Sequence, residues 1–219
     1  MLAALTGMGL SAAAGLNAYI PFLVVALVAR FTDYITLPVG YEWIESNWAI
    51  GIGSALLLAE VILDKIPAVD TINDTIQTFI RPSMGGLIFA ASTAASEFDN
   101  SAWMEENAWV SVVLGVIISG LVHTGKMAAR PVINAGTVGV GAPVVSTIAA
   151  GTSFGLTLIA LIAPALTVVI ATNYQGDRQA KAIGLLAAAI PLAGVMALIL
   201  AGWFAETIGW RYSFALVVV

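Results

Sequence analysis

Glu60 and Asp64 stand four residues apart in a stretch, 48 to 65, that is otherwise almost wholly apolar, a spacing that stacks both carboxylates on one face of a helix. An ionised carboxylate at the centre of a hydrocarbon layer costs roughly 2.5 to 3.5 kcal/mol. Glu60 is therefore expected to face a cavity, to carry a proton, or to pair with a cation such as Lys65 or Lys126. Downstream, the segment 68 to 81 places Asp70, Asp74, Gln77 and Arg81 within about 60° of one another on a helical wheel, with Val69, Ile72, Ile76, Phe79 and Ile80 in an opposing arc of about 100°. Asp70 and Asp74 are like charges one turn apart, which costs an isolated helix a few tenths of a kcal/mol. Two readings follow: a helix lying flat at an interface with its polar face in water, or a re-entrant element whose carboxylates line a cation or proton path. His123 precedes Lys126 by three residues and reads either as an interfacial histidine or, at the depth of Glu60, as half of a proton-titrating pair.

The elements that must position these groups follow from the composition. Of 219 residues, 60% are hydrophobic and 10% charged, and the mean hydropathy is +0.98. That leaves too little polar surface to coat a water-soluble globule, so the expected fold is an all-α integral membrane protein with about six or seven transmembrane helices in a single domain spanning 1 to 219. Met1 to Leu10 lacks a basic segment and runs directly into a long apolar stretch, so the first helix is expected to be retained rather than cleaved. The absence of cysteine and the single histidine argue against thiolate or histidine-rich metal sites, and no metal or other cofactor is expected. The net charge of -5 is not that of a nucleic-acid-binding protein. The expected partners are the lipid bilayer, a small ion or solute, and further copies of the chain.

Apolar runs cover 2 to 31, 48 to 65, 82 to 97, 108 to 126, 143 to 172 and 182 to 202. A membrane crossing needs about 20 helical residues, so the first and fifth runs are too long and the third is short. Gly15, Asn17 and Pro21 predict a break in the first run that would free backbone carbonyls for a ligand or place Asn17 in an interhelical hydrogen bond. Gly151 to Gly155 and Pro164 predict a kink or a division of the fifth, and Pro67 and Pro82 are expected to limit the amphipathic segment. Ser11/Gly15 and Gly151/Gly155 have the spacing of close helix packing. The stretches 65 to 81 and 126 to 142 carry Lys65, Arg81, Lys126 and Arg130, four of eight basic residues, and are expected to be cytoplasmic. The acidic, aromatic stretches 32 to 47 and 98 to 107 are expected outside, with Arg30 against the trend. Thr137 to Gly141 is similar to the filter signature of potassium channels, but only about nine residues, interrupted by Pro131, precede it where a pore helix would lie. It is expected to be a cavity-lining loop or a flexible connector.

Lys65, Asn73 and Pro82 recur 61 positions later as Lys126, Asn134 and Pro143, which suggests two hairpin repeats, 48 to 98 and 109 to 159. The motifs Gly15-Leu16-Asn17-Ala18-Tyr19-Ile20-Pro21 and Asp64-Lys65-Ile66-Pro67-Ala68-Val69-Asp70, followed by Asn73-Asp74 and Arg81-Pro82, resemble those of a family of small bacterial inner-membrane proteins catalogued as a domain of unknown function (DUF4126). The resemblance implies a multi-pass location in the bacterial inner membrane and no particular activity. It points to Asn17, Asp64, Lys65, Asp70, Asn73, Asp74 and Arg81. With Glu60, Gln77, His123, Lys126 and Asn134 these are the candidate pathway residues of a transporter or channel for an ion or small polar solute. The alternative is a non-transporting scaffold or assembly subunit. No hydrolytic or phosphate-binding motif is present, and the chain is not expected to be an enzyme.

Overall fold

The computed structural model describes residues 2–64, 67–94, 107–137, 141–186 and 188–189. Among these the regular structure is entirely helical: α1 (Leu2–Leu16), α2 (Tyr19–Phe31), a short 3-10 helix (Glu42–Glu45), α3 (Asn47–Leu63), α4 (Pro67–Ala94), α5 (Ala108–Thr137) and α6 (Gly141–Asn173), followed by a helical stretch at 177–186. Within α5 and α6, Ala108–Ala129 and Val145–Asn173 are long and apolar enough to cross a membrane. α1 is the central post, packed against α4, α5 and α6, while α2 carries the 3-10 helix and α3 on its flank.

The first apolar run breaks where expected. α1 stops at Leu16, and the Asn17 side-chain oxygen accepts the backbone N–H groups of Tyr19 and Ile20 at 3.1 Å each, capping α2 before Pro21, which has no N–H to satisfy. Ser46 caps α3 in the same way by accepting Ala49 N–H. The chain reverses between α2 and α3 through Gly40, whose φ of 97° lies in the left-handed region. Arg30, the exception to the charge pattern, donates to the Glu45 carbonyl at 2.8 Å and so ties the end of α2 to the 3-10 helix.

Pro67 opens α4 as expected, but the chain does not divide at Pro82, at Gly151–Gly155 or at Pro164. α4 passes through Pro82 and α6 passes through both Gly151–Gly155 and Pro164, so the short third run and the amphipathic segment are one helix of 28 residues and the fifth run is one helix of 33. A proline removes one hydrogen bond and crowds one carbonyl, and a helix packed on both sides of it can continue. Near Pro164 the Tyr34 hydroxyl donates to the Leu161 carbonyl at 2.8 Å. Among the described residues Gly151 and Gly155 have no neighbour within 4 Å of an added Cβ, so the pair mediates no close packing there. The close approach lies instead between α4 and α5, where a Cβ on Gly115 would run into the Gly85 carbonyl and stand 2.8 Å from Gly86 Cα. Ser11 does serve packing: its hydroxyl donates to the Gly85 carbonyl at 2.9 Å.

Two supposed cytoplasmic loops are largely helix. Residues 67 to 81 belong to α4 and 126 to 137 to α5, and Arg81 and Lys126 are buried, so neither contributes to a basic surface that could set orientation. Residues 138–140 of the glycine-rich stretch lie outside the described residues; Gly136 and Thr137 end α5 and Gly141 begins α6. The 61-residue offset sets the start of α3 on the start of α5, and Lys65, the counterpart of Lys126, lies outside the described residues.

Candidate functional site

The helices that build the site bury polar residues and expose apolar ones. In α4 the polar face carries Asn73, Asp74, Gln77 and Arg81, all buried, whereas Ile72, Ile76 and Phe79 on the opposite face are exposed, Phe79 at 75%. The expectation of a polar face bathed in water is therefore wrong. In α3 the buried residues are Gly53 and Glu60, while Leu58 is 62% exposed. In α5 the inward stripe runs Ser111, Gly115, Ser119, His123 and Lys126, with Val112, Val113, Ile117 and Leu121 outward. From Ser111 to His123 this four-residue recurrence of small and polar side chains is visible in the sequence.

Arg81 is the hub. It is wholly buried (0% exposed); Nη2 donates to Glu60 Oε1 at 2.6 Å and Nη1 donates to His123 Nδ1 at 3.2 Å. Nη1 also approaches the Gly15 carbonyl at 3.5 Å, the outer limit of a hydrogen bond. A guanidinium has no acceptor, so His123 Nδ1 must be the bare nitrogen and the proton sits on Nε2. That proton points at Thr78 Oγ1, 3.1 Å away, and the Thr78 hydroxyl donates to the Asp74 carbonyl at 2.9 Å. One chain of donors and acceptors thus fixes a neutral His123 in a single tautomer. The Arg81 carbonyl in turn accepts from Ser119 Oγ at 2.8 Å, which ties α5 to the same turn of α4.

A second charge pair lies beside the first. Lys126 Nζ stands 3.6 Å from Asp64 Oδ2 and donates to the Leu16 carbonyl at 3.2 Å. Asn73 donates to Asp64 Oδ1 at 2.7 Å and Ser146 donates to Asp64 Oδ2. Both cations therefore meet the carbonyl end of α1, where the helix dipole is negative and Gly15 and Leu16 have lost their intrahelical donors to the break at Asn17. Ser153 adds a hydrogen bond to the Ala13 carbonyl at 2.8 Å. Asn17→Ala should lower stability by about 1 kcal/mol, the usual cost of losing an N-cap, whereas Asn17→Asp keeps the capping oxygen. Thermal unfolding followed by tryptophan fluorescence checks both.

The structure thus joins Asn17, Glu60, Asp64, Asn73, Arg81, His123 and Lys126 at or next to the end of α1, with Asp74 and Gln77 buried on the same face of α4 as Arg81. Lys65 lies outside the described residues, as do the side chains of Asp70 and Asn134. Glu60 pairs with Arg81 rather than with a lysine, and His123 is buried within the bundle. The acids do not form a bare lining, because Arg81 and Lys126 hold two of them. Among the described residues no group of three or more acidic, histidine or cysteine side chains is placed to hold a metal ion. Tyr19, Thr78, Ser119 and Ser146 were missed. Tyr19 lies within the Asn17–Pro21 motif and could have been found there, but nothing in the sequence singles out Ser146.

The sequence that builds this bundle matches a family described as a domain of unknown function. The pattern of the domain of unknown function DUF4126 matches residues 4–174, and the chain belongs to that family. The match contains all the residues that build the network. No curated protein and no solved structure matches the chain.

Proposed function

We propose that the chain is a multi-pass protein of the bacterial inner membrane that carries a small polar solute in a proton-linked manner, with Glu60, Arg81 and His123 as the proton-responsive element. The observation that carries this reading is the sharing of one fully buried guanidinium between a carboxylate and a neutral imidazole. The inverted helix faces support the setting. Apolar side chains directed outward from α3, α4, α5 and α6 form far more exposed apolar surface than water tolerates, and lipid accepts it at no cost. A buried ion pair is commonly no more stabilising than an apolar pair of the same shape. Titratable groups inside a membrane bundle are characteristic of proton and substrate pathways.

The proton link follows from the tautomer. A proton arriving at His123 Nδ1 removes the acceptor that holds Arg81 Nη1 and sets an imidazolium against a guanidinium, so Arg81 must withdraw towards Glu60 and the Gly15 carbonyl. Arg81 joins α3, α4 and α5 to the end of α1, so protonation acts on the junction of four helices. Proteoliposomes containing the full chain should show proton uptake that depends on an added polar solute. His123→Gln and Glu60→Gln should each remove most of it at unchanged amounts of folded protein.

A second reading, a non-transporting scaffold or assembly subunit, draws on the mutual pairing of Glu60 with Arg81 and Asp64 with Lys126, which is also how a purely structural network looks. Absence of flux across a panel of solutes and pH gradients, with folding confirmed, selects it.

A further inference from the structure

The Glu60–Arg81 pair is made with one hydrogen bond where its geometry could have made two. A guanidinium edge and a carboxylate commonly meet as two parallel bonds. Here only Nη2 and Oε1 are joined, and both Glu60 Oε2 and Arg81 Nε are buried without a hydrogen-bond partner. One turn before Arg81 on α4, Gln77 Oε1 is likewise buried and unpartnered. Gln77 stands one turn before Arg81 on α4, Arg81 holds Glu60 across to α3, and the buried Tyr19 phenol lies within electrostatic reach of Glu60 and Arg81. A buried polar atom without a partner costs about 1 to 3 kcal/mol, and here three occur in adjoining side chains, all at most 2% exposed.

We propose that Glu60 Oε2, Gln77 Oε1 and Arg81 Nε form a binding site for a small uncharged amide-like solute, one that offers two N–H hydrogens and one carbonyl lone pair. The inventory sets the class: two acceptors require two donors on the ligand, and one donor requires an acceptor. The charges set its neutrality. A cation would meet the Arg81 guanidinium and an anion the Glu60 carboxylate, whereas a neutral dipole can align between them, its carbonyl towards Nε and its amide hydrogens towards Oε1 of Gln77 and Oε2 of Glu60. The near-complete burial of Glu60, Gln77 and Arg81 limits the solute to a few heavy atoms.

This substrate class rests on the transport reading, but it can be tested by binding alone, so a failure of flux and a failure of recognition are separable. Acetamide has methyl protons that do not exchange with water, which suits saturation-transfer NMR on the detergent-solubilised full chain. The wild type should transfer saturation to acetamide, and neither acetate nor methylammonium at equal concentration should displace it. Gln77→Leu should weaken binding about tenfold, as expected for one lost hydrogen bond. Because Gln77→Leu could disturb packing, Tyr19→Phe provides a second, milder probe that should also weaken binding, and Val113→Ala on the outer face should leave it unchanged. No acetamide signal from folded wild type, displacement by either ion, or full retention of the signal in both Gln77→Leu and Tyr19→Phe would overturn the proposal.

Discussion

Arg81→Met should destabilise the protein by about 3 to 5 kcal/mol, the range for removing one partner of a buried ion pair. Methionine fills much of the volume but supplies no donor. Glu60 is left as an unpaired buried carboxylate, His123 Nδ1 loses the donor that fixed its tautomer, and the Gly15 carbonyl loses its nearest cation. Most of that cost is the stranded charge rather than the lost contact, so Glu60→Gln in the Arg81→Met background should recover a substantial part of it. Arg81→Lys should fall between, because a single ammonium cannot reach a carboxylate and an imidazole along two directions as the guanidinium fork does. Unfolding free energies of the wild type, Glu60→Gln, Arg81→Met and the double variant in one detergent supply the double-mutant cycle. A cost below 1 kcal/mol for Arg81→Met, or no recovery in the double variant, would mean that the pair is not buried as the structure places it.

The same charges explain what the sequence could and could not disclose. Glu60, Asp64, Arg81 and Lys126 stand out in apolar surroundings because each would be costly to bury alone, and that was enough to gather the right residues. It was not enough to pair them. Lys126 is nearly as close in sequence to Glu60 as to Asp64, and only the packing of α3 against α4 brings Arg81 to Glu60 and leaves Lys126 for Asp64. The break at Asn17 was legible because its signals are local: a side-chain oxygen that caps, and a proline four residues on. Pro82 misled for the opposite reason, since a proline weakens a helix by a local amount that packing of the flanking turns outweighs.

The two faces of α4 were equally legible, but their direction was not. Periodicity separates Ile72, Ile76 and Phe79 from Asp74, Gln77 and Arg81 without saying which side is inward, because that depends on the solvent. In water the apolar face turns in. Against lipid the apolar face gains nothing by burial, and the polar face must find its partners inside the bundle. The described side chains of α3, α4 and α5 alike turn polar groups inward and apolar groups outward, which supports the membrane setting proposed above and is why the direction of these faces bears on function.

Gly115→Ala and Gly125→Ala make the same chemical change on the same helix and should have opposite signs. At Gly125 an added Cβ meets nothing within 4 Å, so exchanging glycine for alanine removes backbone entropy from the unfolded chain and should stabilise by about 0.5 to 1 kcal/mol. At Gly115 the Cβ collides with the Gly85 carbonyl and with Gly86 Cα, which are backbone atoms and cannot rotate away. Relief requires α4 and α5 to separate by about 1 Å to regain ordinary contact distance, at a cost of about 1 to 3 kcal/mol for overpacking. The separation also loads the hydrogen bonds that cross between these helices, Ser119 to the Arg81 carbonyl at 2.8 Å and Arg81 to His123 at 3.2 Å. Gly115→Ala should therefore weaken solute-dependent proton uptake as well as stability, although residue 115 touches neither Glu60 nor His123. If Gly115→Ala lowers stability while leaving the proton response intact, the Arg81–His123 contact is not the element that couples protonation to the bundle. If Gly115→Ala is as harmless as Gly125→Ala, the close crossing of α4 and α5 is itself wrong.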